Sequence, residues 1–273
     1  MTKSPRPLED NENEAEATTP TPRSGPGMDA QLEFAKWLAI ITMVIDHVGY
    51  LFHDKVDYVL WRSAGRLCWP LIAWIVAMRL AAVPQRTGGY LKRLLPWAVI
   101  SQIPYAFMFS FTRNLPWHDA FNILFTIALG CMIFMLLIAM ATASRRRQIL
   151  MWGGILLLLA VGIKVDYGSV GVASIPVMAL LARQSPKRAA IACGILAAMA
   201  NVFILAENGI LAQYILLAIA PLGASLIALY CLDVYLPVPR LPRWFFYLFY
   251  PLHMVALLAA LLIFFAPPAA TTP

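Results

Sequence analysis

Hydrophobic positions in this chain fall in long unbroken blocks separated by short polar stretches, without the strict alternation that marks a half-buried strand. Nine blocks stand out, at 34–52, 67–83, 94–111, 121–141, 148–163, 169–182, 189–206, 210–231 and 245–265. A helix rises about 1.5 Å per residue, so roughly 20 apolar residues cross about 30 Å of hydrocarbon. The pattern predicts an all-α, polytopic membrane protein with about nine transmembrane helices in one bundle, occupying residues 31–273. The blocks at 148–163 and 169–182 are short, and the second contains Pro176. They read as two spans or as one re-entrant hairpin. Residues 1–30 are rich in Pro, Thr and Glu and poor in large apolar side chains, which predicts a disordered, solvated tail. The first 27 residues hold no apolar stretch, so the first block is expected to act as an uncleaved signal-anchor. No internal repeat or second domain is visible.

The polar stretches orient the blocks. Arg79, Arg86, Lys92 and Arg93 follow block two, and Arg145, Arg146 and Arg147 follow block four. Arg183, Lys187 and Arg188 follow block six, and Arg240 and Arg243 follow block eight. The odd loops carry Lys55, Arg62, Arg66, Arg113 and Lys164, offset by Asp54, Asp57, Asp119, Asp166 and Glu207. Positive residues stay on the cytoplasmic side, so the N-terminus is expected in the cytoplasm and the odd loops outside.

Composition agrees with this reading. The chain is 61% hydrophobic and 13% charged, against about 25% charged for a soluble domain. The net charge of +7 resides in loops beside a lipid bilayer and does not point to nucleic acid. Cys68, Cys131, Cys193 and Cys231 fall inside blocks with no CxxC spacing and read as small buried hydrophobes. The four histidines lack HxxxH or HExxH spacing, so no metal is expected.

Against that background a few polar residues carry candidate chemistry. Asp46 and His47 sit inside the first block, where ionisable groups are costly and functional by default. As helix neighbours they point about 100° apart, so they do not form a ready-made dyad. Tyr50, at i+3 from His47 and i+4 from Asp46, is better placed. One of the pair should face a cavity, and the other should bond a neighbouring helix, with Arg62 or Arg66 as partner. His47 suits proton transfer near neutral pH. A polar knot that merely fixes helix packing is the competing reading. Arg62 and Arg66 form RxxxR at the entrance of the second block, a spacing that suits an anion or a headgroup anchor. Gln102, Asn122 with Thr126, and Tyr250 with His253 are further polar islands. Together with Asp166 and Tyr167 these groups can converge on one outward-facing cavity.

The series FAKWLAIITMVIDHVG, RSAGRLCWPLIAWIVA, KRLLPWAVISQIPY, FNILFTIALG and DYGSVGV resembles the TraX family, which includes TrbP-type members. Where that family's pattern has an acidic residue and Gly at the end of the second span, this chain has Met78-Arg79. The resemblance implies a bacterial inner-membrane protein of conjugative transfer, linked to N-terminal acetylation of a pilin subunit. It implies acetyl-CoA as co-substrate and the pilin as partner. A more distant similarity to integral-membrane acyltransferases with an early His and an RxxxR pair falls on His47, Arg62 and Arg66. In that reading His47 is the catalytic base and Asp46 orients it or balances its charge. Arg62 and Arg66 bind the donor or stabilise developing charge, and Tyr50, Gln102, Asn122 and His253 are further binding candidates. Direct transfer is expected, with a covalent route through Cys68 as the alternative. The rival classes are a non-enzymatic membrane chaperone for pilin and a small proton-coupled transporter.

Overall fold

The apolar blocks become helices wherever the chain is described. A computed structural model describes residues 28–113, 120–205, 217, 219–242 and 244–265. The N-terminal tail, His118, Asp119 and part of the eighth block lie outside them. The helices are α1 (Met28–Leu51), α2 (Tyr58–Gly65), α3 (Cys68–Ala82), α4 (Thr87–Arg113) and α5 (Ile123–Met140). They continue with α6 (Arg145–Val161), α7 (Gly168–Gln184), α8 (Pro186–Leu205), α9 (Leu222–Asp233) and α10 (Phe245–Phe265). Among the described residues there is no strand. A lone parallel bridge joins Phe121 to Val165.

Five helical segments among the described residues are long and apolar enough to cross a membrane: Ala30–Leu51, Tyr58–Ala82, Ile123–Met140, Arg145–Lys164 and Phe245–Phe264. The chain is thus an all-helical membrane protein. Of the other helices, α4 is long but holds Lys92, Arg93, Ser101 and Gln102, whereas α7 is 17 residues and α8 opens on Lys187 and Arg188. Exposed Ile149, Leu150, Trp152, Leu156 and Leu157 line α6, and Leu252, Val255, Ile263 and Phe264 line α10. Such a surface suits lipid and would be an aggregation hazard in water.

The second span departs from the sequence reading. It runs as α2 and α3 over Tyr58–Ala82, so Arg62 and Arg66 lie within it rather than at its entrance. Both are buried, at 6% and 8% exposure. The helix breaks between them and the rest of the span. Pro70, in the first turn of α3, has no N–H for the Arg66 carbonyl and cannot continue the ladder. Asp57 starts α2 as its N-cap, with its carboxylate accepting from Leu60 N at 2.8 Å.

Pro176, read as a reason to doubt the sixth block, sits inside a continuous α7. The Val172 carbonyl that Pro176 leaves without its helical donor faces Gly130 of α5. A Cβ there would lie 3.0 Å from that oxygen. Helix-breaking residues are tolerated in such bundles where a neighbour covers the freed group. α7 packs against α3, α5 and α8 and forms the centre of the bundle, with Ile175, Met178 and Ala179 fully enclosed. All four cysteines are free and buried.

Candidate functional site

The site begins where α1 and α2 touch. Two glycines allow the contact. A Cβ on Gly49 would come within 2.7 Å of Trp61 Cβ, and one on Gly65 within 2.4 Å of Asp46 Cα. Small residues let membrane helices approach to backbone distance. The approach brings Arg62 Nη1 to 2.6 Å from Asp46 Oδ2, and the same nitrogen donates to the Asp46 carbonyl at 3.1 Å. The Arg62 guanidinium also lies 5.3 Å from the centre of the Tyr50 ring. Arg62 is thus committed to neutralising Asp46. Asp46 Oδ1 remains buried with no hydrogen-bond partner among the described residues.

Arg66 lies one turn on and has different company. Its Nη1 donates to the Tyr167 hydroxyl at 3.4 Å, and no carboxylate among the described residues is within ion-pair distance. Tyr167 is a non-glycine residue at φ +63°, followed by Gly168 at φ +60°. The left-handed region costs a bulky residue of order 1–3 kcal/mol, and such strain gathers at functional sites. Three features hold it there. Trp69 stacks on the Tyr167 ring with 4.9 Å between centroids. Gly171 leaves room for it, since a Cβ there would approach Tyr167 Cβ to 2.6 Å. The loop is pinned by Phe121, which donates to the Lys164 carbonyl and accepts from Asp166 N, each at 2.9 Å, and by Thr126, which donates to the Asp166 carbonyl at 2.6 Å.

His47 faces away from the Asp46 carboxylate, as the helical offset requires, and meets α10 instead. Its Nδ1 is 2.7 Å from His253 Nε2, and His253 Nδ1 is 2.8 Å from the Phe249 carbonyl. The two imidazoles are near-parallel, with 16° between planes and 4.9 Å between centroids. Phe249 stacks on His253 at 4.8 Å. Asp46, His47, Met43, Cys68, Ile123, Asp166, Tyr167 and Tyr250 line a cavity of about 20 Å³, measured as the space open to the centre of a water molecule. That is room for about one water.

The loop carboxylate Asp166 is half-buried, and burial pushes its carboxyl up to about 6 against the opposing pull of Arg66. Ordinary loop carboxyls titrate about 2 units lower, near 3.9.

Of the residues singled out from sequence, Asp46, His47, Arg62, Arg66, Tyr50 and His253 are brought together. Gln102 and Asn122 are not at the cavity. They cap α5 jointly: Asn122 Oδ1 accepts from Leu124 N, its Nδ2 donates to Gln102 Oε1 and to the Ala98 carbonyl, and Gln102 Nε2 donates to the Ala120 carbonyl. Asp166 and Tyr167, expected from sequence to converge on a cavity with these groups, both line it, whereas the left-handed backbone of Tyr167 was not foreseen. The DYG tripeptide was the available signal, because a Gly after an aromatic in a tight connection marks unusual backbone.

Fold and site define a class: a helical integral membrane protein whose buried centre holds a carboxylate–guanidinium pair, a histidine pair and a small polar cavity. The chain belongs to the TraX family, whose model, described as TraX protein, matches residues 31–261. It is 28% identical over 103 residues to "Protein TraX" of Escherichia coli, and 30% identical over 103 residues to "Protein TraX" of Escherichia coli strain K12. Each match covers 38% of this chain and 38% of the relative's own length. It is 29% identical over 232 residues to "Probable fimbrial assembly protein FimC, serogroup H1" of Dichelobacter nodosus, covering 82% of this chain and 93% of that protein. No solved structure matches the chain.

Proposed function

We propose that the protein is an inner-membrane acyltransferase that acetylates the N-terminal amine of a pilin subunit, with acetyl-CoA as donor. The observation that carries this reading is the open edge of His47. Its Nδ1 is taken by His253, and Nε2 has no hydrogen-bond partner among the described residues. An acceptor arrives as an ammonium ion and must lose a proton before it can attack. His47 takes that proton at Nε2. Asp46 Oδ1, buried beside the same cavity with no hydrogen-bond partner among the described residues, is an acceptor available to an amine N–H. The bond formed joins the amine nitrogen to the acyl carbon, and the bond broken is carbon–sulfur. The second ammonium proton leaves with the thiol. His47 then returns its own proton to water. Tyr167 and Arg66 stand where a hydroxyl and a guanidinium can favour developing negative charge. The cavity has room for about one water and not for a nucleotide, so the bulk of the donor must lie outside it. The fimbrial assembly named for the D. nodosus relative supports a pilin-type acceptor.

The remaining helices α4, α7 and α8, and the eighth block that ends in α9, are taken to cross as well. That keeps the nine-span order, with the N-terminus cytoplasmic and the site toward the outer half. A second reading, a non-enzymatic pilin chaperone, is favoured by an open apolar groove of about 410 Å³ lined by Ile195, Ala198, Met199, Val202 and Leu222. The two readings part on the intact mass of the pilin. Cells carrying the wild-type protein should yield pilin heavier by one acetyl group, and His47→Gln, which hydrogen-bonds but does not take up a proton near neutral pH, should yield unmodified pilin at equal membrane abundance. Pilin of unmodified mass from both strains would sink the enzyme reading and leave the chaperone.

A further inference from the structure

We propose that His253 is a positioning residue that locks His47 in its Nδ1–H tautomer and so keeps Nε2 bare toward the cavity. The argument is one of donors and acceptors. A backbone carbonyl only accepts, so the 2.8 Å contact between His253 Nδ1 and the Phe249 carbonyl places a proton on His253 Nδ1. In a neutral imidazole the other nitrogen is then a lone pair. His253 Nε2 must therefore accept, and His47 Nδ1, 2.7 Å away, must donate. His47 Nε2 is left unprotonated. The near-parallel rings place the lone pair of one close to the plane of the other.

His253 is itself held in this pose. Phe249 stacks on its face with 6° between planes, and the residue is 7% exposed. A histidine side chain free in water favours the opposite tautomer, with the proton on Nε2, which would put a donor where a base is needed. In the usual triad a carboxylate sets the tautomer of the base. Here Asp46 is turned away and bound to Arg62, and a second histidine takes that part, ordered in turn by a main-chain oxygen. When His47 becomes protonated, its Nδ1–H points at a neutral acceptor, so His253 also receives part of the positive charge.

The catalytic meaning of this lock rests on the acyl-transfer reading, whereas the tautomer itself does not. The test is ¹⁵N NMR of histidine-labelled protein in nanodiscs. The chain has four histidines, and single His→Gln replacements assign them. In the wild type at neutral pH, both His47 and His253 should show a protonated Nδ1 and a bare Nε2. His253→Phe keeps the stacked volume and removes the acceptor, and it should move His47 to the Nε2–H form or to a mixture. His253→Gln offers a side-chain oxygen at similar reach and should restore the wild-type His47 signal in part. A wild-type His47 carrying its proton on Nε2 overturns the proposal with no variant needed. So does an unchanged His47 tautomer in His253→Phe. In the pilin assay, His253→Phe should lower the rate of transfer by about 10- to 100-fold, the usual size for a residue that orients another, with the donor KM unchanged. Wild-type tautomers as stated, together with pilin of unmodified mass from wild-type cells, would retain the lock and discard the enzyme.

Discussion

At the level of single residues, the site keeps charge in pairs. Asp46 and Arg62 neutralise each other across 2.6 Å, and removing one partner of such a buried pair costs about 3–5 kcal/mol. Asp166 has no such partner and lies in the loop between α6 and α7, outside the spans. Its carboxyl is raised from 3.8 to about 6, first by burial and further by Asp46. The folded state thus prefers the neutral acid. That preference stabilises the protein fully below pH 4 and is lost as pH rises through about 6. The thermal midpoint of the wild type in detergent should therefore fall between pH 4 and 6.5 relative to Asp166→Asn, which lacks the ionisation. Parallel midpoints across that range would mean the carboxylate is solvated. Sequence reading found Asp46 and His47 because ionisable residues inside a span announce themselves, and both arginines by their RxxxR spacing. It could not pair His47 with His253, since 206 residues separate them and no local spacing encodes the contact.

Among the elements, the glycines of α1 and α2 decide how close these two helices lie. Gly65→Ala would drive a methyl to 2.4 Å from the Asp46 backbone, where nothing flexible can give way. Overpacking of this kind costs about 1–3 kcal/mol, and it should also pull Arg62 off Asp46. Gly153 is the matched control, because a Cβ there meets nothing within 4 Å, and in α6 Ala is the better helix former by about 1 kcal/mol. Thermal unfolding in detergent should show Gly65→Ala destabilised and Gly153→Ala neutral or stabilised. Equal midpoints for the two would contradict the close crossing. The helices themselves were largely legible from block length. The break at Pro70 and the true reach of the second span were not, because Arg62 and Arg66 look like loop residues until a buried carboxylate is known to meet them. Gln102 and Asn122 are hard to read for a related reason: a cap between two helices uses the same side chains as a binding site.

For the whole molecule, loop charge is the governing signal. Reporter fusions at residues 84–86 and 144 should report cytoplasm, and fusions at 53–56 the outer face, because the basic residues cluster beside the first two. The reverse pattern at 84–86 would move the cavity to the cytoplasmic half and ease access for a cytoplasmic donor. The two ends of the bundle are also tied. Glu33 accepts from Leu241 N at 3.2 Å while held by Lys36, Trp37 donates to the Pro239 carbonyl at 2.8 Å, and Gln31 donates to the Leu232 carbonyl at 3.2 Å. These bonds seat the segment ahead of α10 against α1, and so place His253 opposite His47.

That tie sets an order of events during synthesis. The Asp46–Arg62 pair spans 16 residues and can form as soon as the first hairpin leaves the ribosome. The imidazole pair must wait for the last helix, nearly the whole length of the chain later. Until then His47 has no fixed tautomer and the cavity lacks the wall that Tyr250 provides. A C-terminal truncation that spares every residue up to α9 therefore removes both the imidazole partner of His47 and the Tyr250 wall of the cavity.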